Sequence, residues 1–209
     1  MDIALPVLGG LGLFLYGMNI MGTGLEKSAG EKLKRLIEIL TSNRLMGVMV
    51  GTLVTMIIQS SSATTVMVVG FVNAGLMNLS QAVGVIMGAN IGTTVTAQLI
   101  AFDLADIAPL AVAIGVGIWL TASQRRLKSL AEILIGFGVL FIGMEMMGNG
   151  LKPLGNNPVF SNIMTRLNDP FLGILVGFGL TTLIQSSSAS IGLLQTLASL
   201  GLIDINMAF

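Results

Sequence analysis

Two runs of uncharged polar residues stand inside otherwise apolar stretches: Gln59-Ser60-Ser61-Ser62 and Gln185-Ser186-Ser187-Ser188. Polar groups in hydrocarbon are costly unless paired, so eight such side chains need a reason. A break between two half-helices supplies one. It exposes the C-terminal carbonyls of the first half, which can hold a cation, and the N-terminal amides of the next, which can hold an anion. Serine hydroxyls serve either charge, and Gln59 and Gln185 can orient through their amides. The competing explanation is structural, because serines also cap half-helices and bond across helix interfaces. Two symmetry-related breaks, each in a segment too short to cross continuously, favour the ligand reading.

A third polar run, Gly88-Ala89-Asn90-Ile91-Gly92-Thr93-Thr94, offers Asn90, Thr93 and Thr94 as oxygen ligands. Its glycines permit either unwinding or close backbone approach, so taken alone it reads equally well as a helix-packing motif. Its place after the first break favours a ligand role. Thr64 and Thr65 follow the first break whereas Ser190 and Ile191 follow the second, so the two half-sites are not chemically equal. No lysine or arginine falls within a predicted membrane segment. An anion here would be neutralised by amides and co-bound cations.

Ser60 or Ser186 could be imagined as an enzyme's nucleophile, but the chain has no histidine and no cysteine. Imidazole acid–base chemistry, thiol nucleophiles and thiolate metal sites are excluded together. Asp103, Asp106, Glu132 and Glu145 lie near span ends and read as boundary or packing residues. An enzyme is therefore not expected.

The surroundings of these breaks are those of a membrane protein. Hydrophobic residues make up 54% of the chain and charged ones 10%, with a mean hydropathy of +0.91. A water-soluble domain carries roughly 25% charged residues, so most of this surface cannot be wet. Net charge is zero and no basic tract is dense enough to suggest nucleic acid as a partner. The start, Met1-Asp2-Ile3-Ala4-Leu5-Pro6, lacks a positive n-region, so the first apolar run reads as a retained span.

A spanning helix needs about 20 apolar residues, and Leu5 to Leu25 qualifies. Glu26 to Arg44 carries five basic residues with apolar positions at helical spacing, the pattern of a surface amphipathic helix. Leu45 to Leu76 is split by its polar break into arms of about 14 residues, roughly 21 Å each. That falls short of the ~30 Å hydrocarbon core and predicts a re-entrant hairpin. Gln81 to Phe102 is expected to cross as a broken helix, interrupted at Gly88–Thr94. Ile107 to Ala122 crosses back to a short basic loop, Arg125-Arg126-Leu127-Lys128, and Leu130 to Met147 crosses once more. Gly150 to Asn168 forms a polar connection, and Pro170 opens a second broken run. With the hairpin returning to its side of entry, segments 26–44 and 123–128 share one side and hold eight of the ten lysines and arginines. The positive-inside rule makes that side cytoplasmic and puts the N-terminus outside.

The pattern is duplicated at an offset of 126 positions without a gap. Ile58 through Ala63 recur as Ile184 through Ala189; Gly51 and Thr55 recur as Gly177 and Thr181; Gly75-Leu76 recur as Gly201-Leu202. Three crossings and one hairpin separate equivalent points, so the second copy enters from the opposite side. Inverted-topology repeats of this kind place binding at the midplane of secondary transporters. The reading is thus an all-α polytopic membrane protein with two inverted repeats, 1–126 and 127–209, each with a re-entrant hairpin and a broken helix. The second is incomplete, because the partner of Gly88–Thr94 would fall at 214–220. The chain is expected to be truncated, or else to complete itself by dimerising. Its apolar exterior could face lipid or another subunit, leaving a homo-oligomer open.

The duplicated Gln59–Ala63 and Gln185–Ala189 motifs, with the Gly88–Thr94 segment, resemble the sodium/phosphate cotransporters, which include animal type II transporters and bacterial homologues. The resemblance implies a multi-pass protein of the plasma (inner) membrane that moves inorganic phosphate by sodium-coupled symport and alternating access. It implies phosphate contacts from Gln59, Ser60, Ser61, Ser62, Gln185, Ser186, Ser187 and Ser188. Sodium contacts are implied from nearby hydroxyls and carbonyls: Thr64, Asn90, Thr93, Thr94 and Ser190. The alternative is an anion channel or phosphate-binding membrane module without coupled transport, which the same uncharged site would serve.

Overall fold

The structure, a computed structural model, describes residues 3–29, 43–102, 104–158, 160, 162, 169–204 and 208. Among these it is helical throughout, with no strand. Helix α1 covers Ala4–Ala29, with Pro6 in its first turn, where its missing N–H costs nothing. Helix α2, Arg44–Ile58, is capped by Asn43, whose Oδ1 accepts the Met46 N–H at 2.9 Å. Helix α3 is Ser61–Asn73 and α4 is Leu79–Ala101. A 3-10 turn, Ala105–Ile107, leads into α5, Ala108–Thr121. Helix α6 runs Arg125–Leu151 and tightens into a 3-10 turn, Lys152–Asn156. Helix α7, Pro170–Ile184, opens with Pro170 at its first position and Asp169 accepting the Phe171 N–H at 2.9 Å. Helix α8 is Ser187–Ser199.

Among the described residues, three helices are long and apolar enough to cross a membrane: Ala4–Ala29, Leu79–Ala101 and Arg125–Gly155. The arms α2 and α7 have 15 residues each, and α3 and α8 have 13. At 1.5 Å per residue they reach roughly 20–23 Å, too short to cross alone. Both second arms end alike. Gly75 and Gly201 take φ of +72° and +67°, and the following Leu76 and Leu202 donate their N–H groups to Phe71 and Leu197 carbonyls at 2.9 and 3.0 Å. Glycine adopts that left-handed turn without a Cβ penalty and so stops the helix.

Several expectations change. Helix α4 is continuous through Gly88–Thr94, so the expected break there does not form. The glycines serve close approach instead. A Cβ at Gly84, Gly88 or Gly92 would stand 2.7, 2.0 and 2.6 Å from the carbonyl oxygens of Arg44, Val48 and Thr52. The two helices therefore run parallel, backbone on backbone, in four-residue steps. Arg125–Lys128 form the first turn of α6 rather than a loop, since arginine, leucine and lysine are good helix formers and their charged ends stay exposed. Gly150 and Leu151 likewise belong to α6 rather than to the polar connection. Ile107–Ala122 yields a shorter element, with Ala105–Thr121 below the length of the three spanning candidates. Glu26 and Lys27 extend α1, and Lys27 Nζ meets Glu132 Oε1 of α6 at 2.6 Å. Most of the expected surface helix, residues 30–42, lies outside the described residues, as does Asp103.

Contacts divide the chain into two compact units. One comprises Met18–Leu99 with Leu110–Phe137 and contains the α2–α3 hairpin and nearly all of α4. Its core is Val50, Val54 and Ile58 of α2, Val68 of α3, and Met77, Ala82 and Val85. The other comprises Met1–Gly17, Ile100–Pro109 and Gly138–Phe209 and contains the α7–α8 hairpin. There the fully buried Phe14 ring packs so closely on α8 that a Cβ at Gly192 would lie 2.7 Å from its Cζ.

Candidate functional site

Each hairpin turns at a glutamine in the left-handed region: Gln59 at φ 60°, ψ 23° and Gln185 at φ 56°, ψ 25°. They are the positive-φ residues other than glycine among those described. Such a conformation costs a non-glycine residue about 1 kcal/mol or more, so the side chain must return something. It does. The Gln59 N–H donates to the Thr55 carbonyl at 2.7 Å, and its Nε2 donates to the Met56 carbonyl. Gln185 repeats this with the carbonyls of Thr181 at 2.8 Å and Thr182 at 2.6 Å. Each glutamine thus satisfies two orphan carbonyls at the end of its own helix.

The next residue begins the second arm. Ser60 and Ser186 are extended, and their Oγ atoms accept the N–H groups of Ala63 and Ala189, both at 3.2 Å. These are ordinary N-caps. A hydroxyl pair then ties the arms. Thr55 Oγ1 donates to Thr64 Oγ1 at 2.9 Å, and Thr64 Oγ1 donates to the Ser60 carbonyl at 3.1 Å. In the second hairpin Thr181 Oγ1 donates to Ser190 Oγ at 3.0 Å, which donates to the Ser186 carbonyl at 3.1 Å. Threonine and serine are interchangeable here because only the hydroxyl is used.

Among the expected site residues, Gln59, Ser60 and Thr64 therefore meet at the first tip, and Gln185, Ser186 and Ser190 at the second. Ser61, Ser62 and Ser187 head their helices with hydroxyls that make no hydrogen bond among the described residues. Ser188 is buried. Among the described residues, the two leading amides of α3 and α8, at Ser61–Ser62 and Ser187–Ser188, are also left over once the caps are made. Asn90, Thr93 and Thr94 fare differently. Thr93 and Thr94 bond back to the carbonyls of Ala89 at 3.1 Å and Ile91 at 2.7 Å. At about 100° per residue, Asn90 and Thr94 lie on the side of α4 away from Gly92, and both are exposed.

The α4 residue that does reach the first tip is Thr96. It is 1% exposed, and its Oγ1 donates to Gln59 Oε1 at 2.5 Å. Thr96, Thr55 and Thr181 were not among the expected site residues. The legible trace of Thr96 is the four-residue stripe Gly84-Gly88-Gly92-Thr96, and that of the threonines is the recurrence of Thr55 as Thr181.

A cavity of about 510 Å³ opens elsewhere in the second unit, lined by Asp106, Glu145, Asn149, Lys152, Gln195 and Thr196 among others. No tip residue lines it. Two carboxylates against one lysine make it a poor host for an anion.

Long apolar helices and repeated polar breaks define a multi-pass α-helical membrane protein, in keeping with inner-membrane transporters of bacteria. The model of the Na+/Pi-cotransporter family matches residues 13–149 and 141–209, and the chain belongs to that family, whose members are membrane transporters and not enzymes. It is 31% identical over 196 residues to "Uncharacterized protein YqeW" of Bacillus subtilis, covering 93% of this chain and 64% of that one. It is 29% identical over 208 residues to "Putative inorganic phosphate export protein YjbB" of Escherichia coli K12, covering 98% and 38%. Against "Sodium-dependent phosphate transport protein 2A" of Rattus norvegicus it is 36% identical over 97 residues, or 46% and 15% of the two chains. The chain thus spans under two thirds of the length of these relatives. No solved structure matches it significantly.

Proposed function

We propose that this chain forms the phosphate-handling core of a sodium-coupled phosphate symporter, with the two hairpins as inverted, re-entrant halves that work by alternating access. One observation carries the reading: both tips satisfy their own backbone through a glutamine and a capping serine, yet among the described residues leave two amides and at least one serine hydroxyl over. Amides and hydroxyls without a fixed cation suit an oxyanion that enters together with a positive ion. Ser61, Ser62, Ser187 and Ser188, with the left-over amides, are the proposed phosphate contacts. Gln59, Ser60, Gln185 and Ser186 shape the tips around them. For sodium, the candidates remain the hydroxyls of Thr64, Thr93, Thr94 and Ser190 and the exposed amide of Asn90. The family description and the printed name of the rat relative support sodium coupling.

The test is radiolabelled phosphate movement in proteoliposomes of the full-length protein, with and without an inward sodium gradient. Accumulation above equilibrium only with the gradient is the expected result. Equal uptake in both conditions sinks the coupling, and rapid equilibration without accumulation sinks the carrier. Vesicles preloaded with phosphate and sodium read the outward direction that the printed name of the E. coli relative carries.

A further inference from the structure

We propose that Thr96 is a positioning residue for the first tip: it acts through Gln59 to hold the Ser60–Ser62 amides steady, and so tunes phosphate affinity without touching phosphate. The inference rests on the phosphate reading above for its functional half only.

The argument begins with the stripe on α4. Gly84, Gly88 and Gly92 each press against a carbonyl of α2, at Arg44, Val48 and Thr52. The next step in both series is Thr96 and Met56. A side chain at that step cannot approach as a glycine does, and Gln59 fills the interval. Thr96 Oγ1 donates to Gln59 Oε1 at 2.5 Å, and Gln59 Nε2 donates to the Met56 carbonyl. The amide of Gln59 is therefore held at both ends, by its own helix and by α4. With its side chain anchored to Met56 and to Thr96, Gln59 has little freedom left at the residue that makes the turn. The direction of the turn is local, since Gln185 takes nearly the same φ and ψ; holding the amide limits how far Ser60 and the α3 amides can swing from it. On the other side, Gly22 of α1 lies beside the tip, with a would-be Cβ 3.2 Å from the Ile58 carbonyl and 3.5 Å from Gln59 Cβ. Thr96 is thus the polar hand-hold that α4 adds to a turn held by its own local hydrogen bonds and by packing. It is buried at 1% exposure, so water cannot replace it as donor.

The experiment compares Thr96→Val and Thr96→Ser in the full-length protein. Valine keeps the shape and removes the donor; serine restores the donor. Two readouts are taken: hydrogen exchange of the peptide containing residues 59–64, and phosphate binding at fixed sodium. We expect Thr96→Val to speed exchange at the tip and to weaken phosphate binding by about tenfold, the worth of one ordinary hydrogen bond at the upper end of its range. Thr96→Ser should restore both. Gln59→Met removes the acceptor from the other side, and adding Thr96→Val to it should cost nothing more. Unchanged tip exchange in Thr96→Val, or costs that add in the double variant, overturns the positioning role. Should Thr96→Val fail to fold, Gln59→Met tests the same bond from its other end. If the wild type binds no phosphate, the functional reading fails by itself, and the exchange data still decide whether Thr96 steadies the tip.

Discussion

The two hairpins share a backbone and differ in what stands behind them. Their turns agree within a few degrees at Gln59 and Gln185, their caps are the same serine bond, and their arms are tied by the same hydroxyl pair. Behind the first, however, α4 presses glycine against carbonyl and Thr96 grips the turn. Behind the second arm of the other stands an aromatic ring, Phe14 on Gly192, and Gln185 is exposed. Local sequence thus suffices to make the tip, while its stiffness comes from elsewhere in the chain.

Breaking the packing gives the largest expected contrast. A Cβ at Gly51 would stand 2.1 Å from the Val85 carbonyl, whereas its repeat partner Gly177 has open space. Gly51→Val, like Gly88→Val, is expected to cost about 3 kcal/mol or more and to abolish detergent-stable protein. Gly177→Val should leave the yield intact. Similar losses at both positions would mean that the second hairpin is backed as tightly as the first.

Next come the uncommitted hydroxyls. Ser61→Ala and Ser187→Ala leave caps and arms in place, so protein abundance should hold while phosphate binding falls. Losing a bond to a charged ligand is worth roughly 1.5–3 kcal/mol, about a 10- to 150-fold loss of affinity. Equal losses would make the tips equal partners; a loss at one alone would assign the ligand to that tip. If both variants keep wild-type affinity, these hydroxyls serve packing.

A smaller effect separates the hydroxyl ties. Thr55 is fully buried and Thr181 only partly. Thr55→Val removes the bond that the buried Thr64 oxygen accepts, leaves Thr64 its own bond to the Ser60 carbonyl, and should cost about 1–1.5 kcal/mol, while Thr181→Val should cost about 1 kcal/mol or less. Thermal melting in detergent reads the difference directly. Smallest of all is Gln185→Gly. It trades one exposed side-chain bond for an easier left-handed backbone and should change stability by no more than about 0.5 kcal/mol.

Much of this was legible in the residues. The position of both breaks followed from Gln-Ser-Ser-Ser in apolar surroundings, and the arm lengths followed from where the apolar runs Leu45–Leu76 and the one opened by Pro170 begin. What Gly88 and Gly92 do was not legible, because unwinding and close approach both demand a missing Cβ and leave the same trace. Only the partner decides, and that partner, α2, lies some forty residues earlier. Thr96 was hidden for a related reason: its hydroxyl answers to Gln59, and no periodicity links the two. Arg125–Lys128 misled by charge, which marks the membrane boundary without saying whether the backbone there is coiled.

The tie between Thr55 and Thr64 has a consequence for the order of assembly. Its ends are nine residues apart in the chain, against 37 for Gln59 and Thr96 and 105 for Lys27 and Glu132. Closing a short loop costs little chain entropy and is fast. During synthesis the hairpin is therefore expected to latch on itself before α4 exists to support it, and to wait as a nascent, loosely aimed tip. Thr96 arrives later and tightens a turn already made.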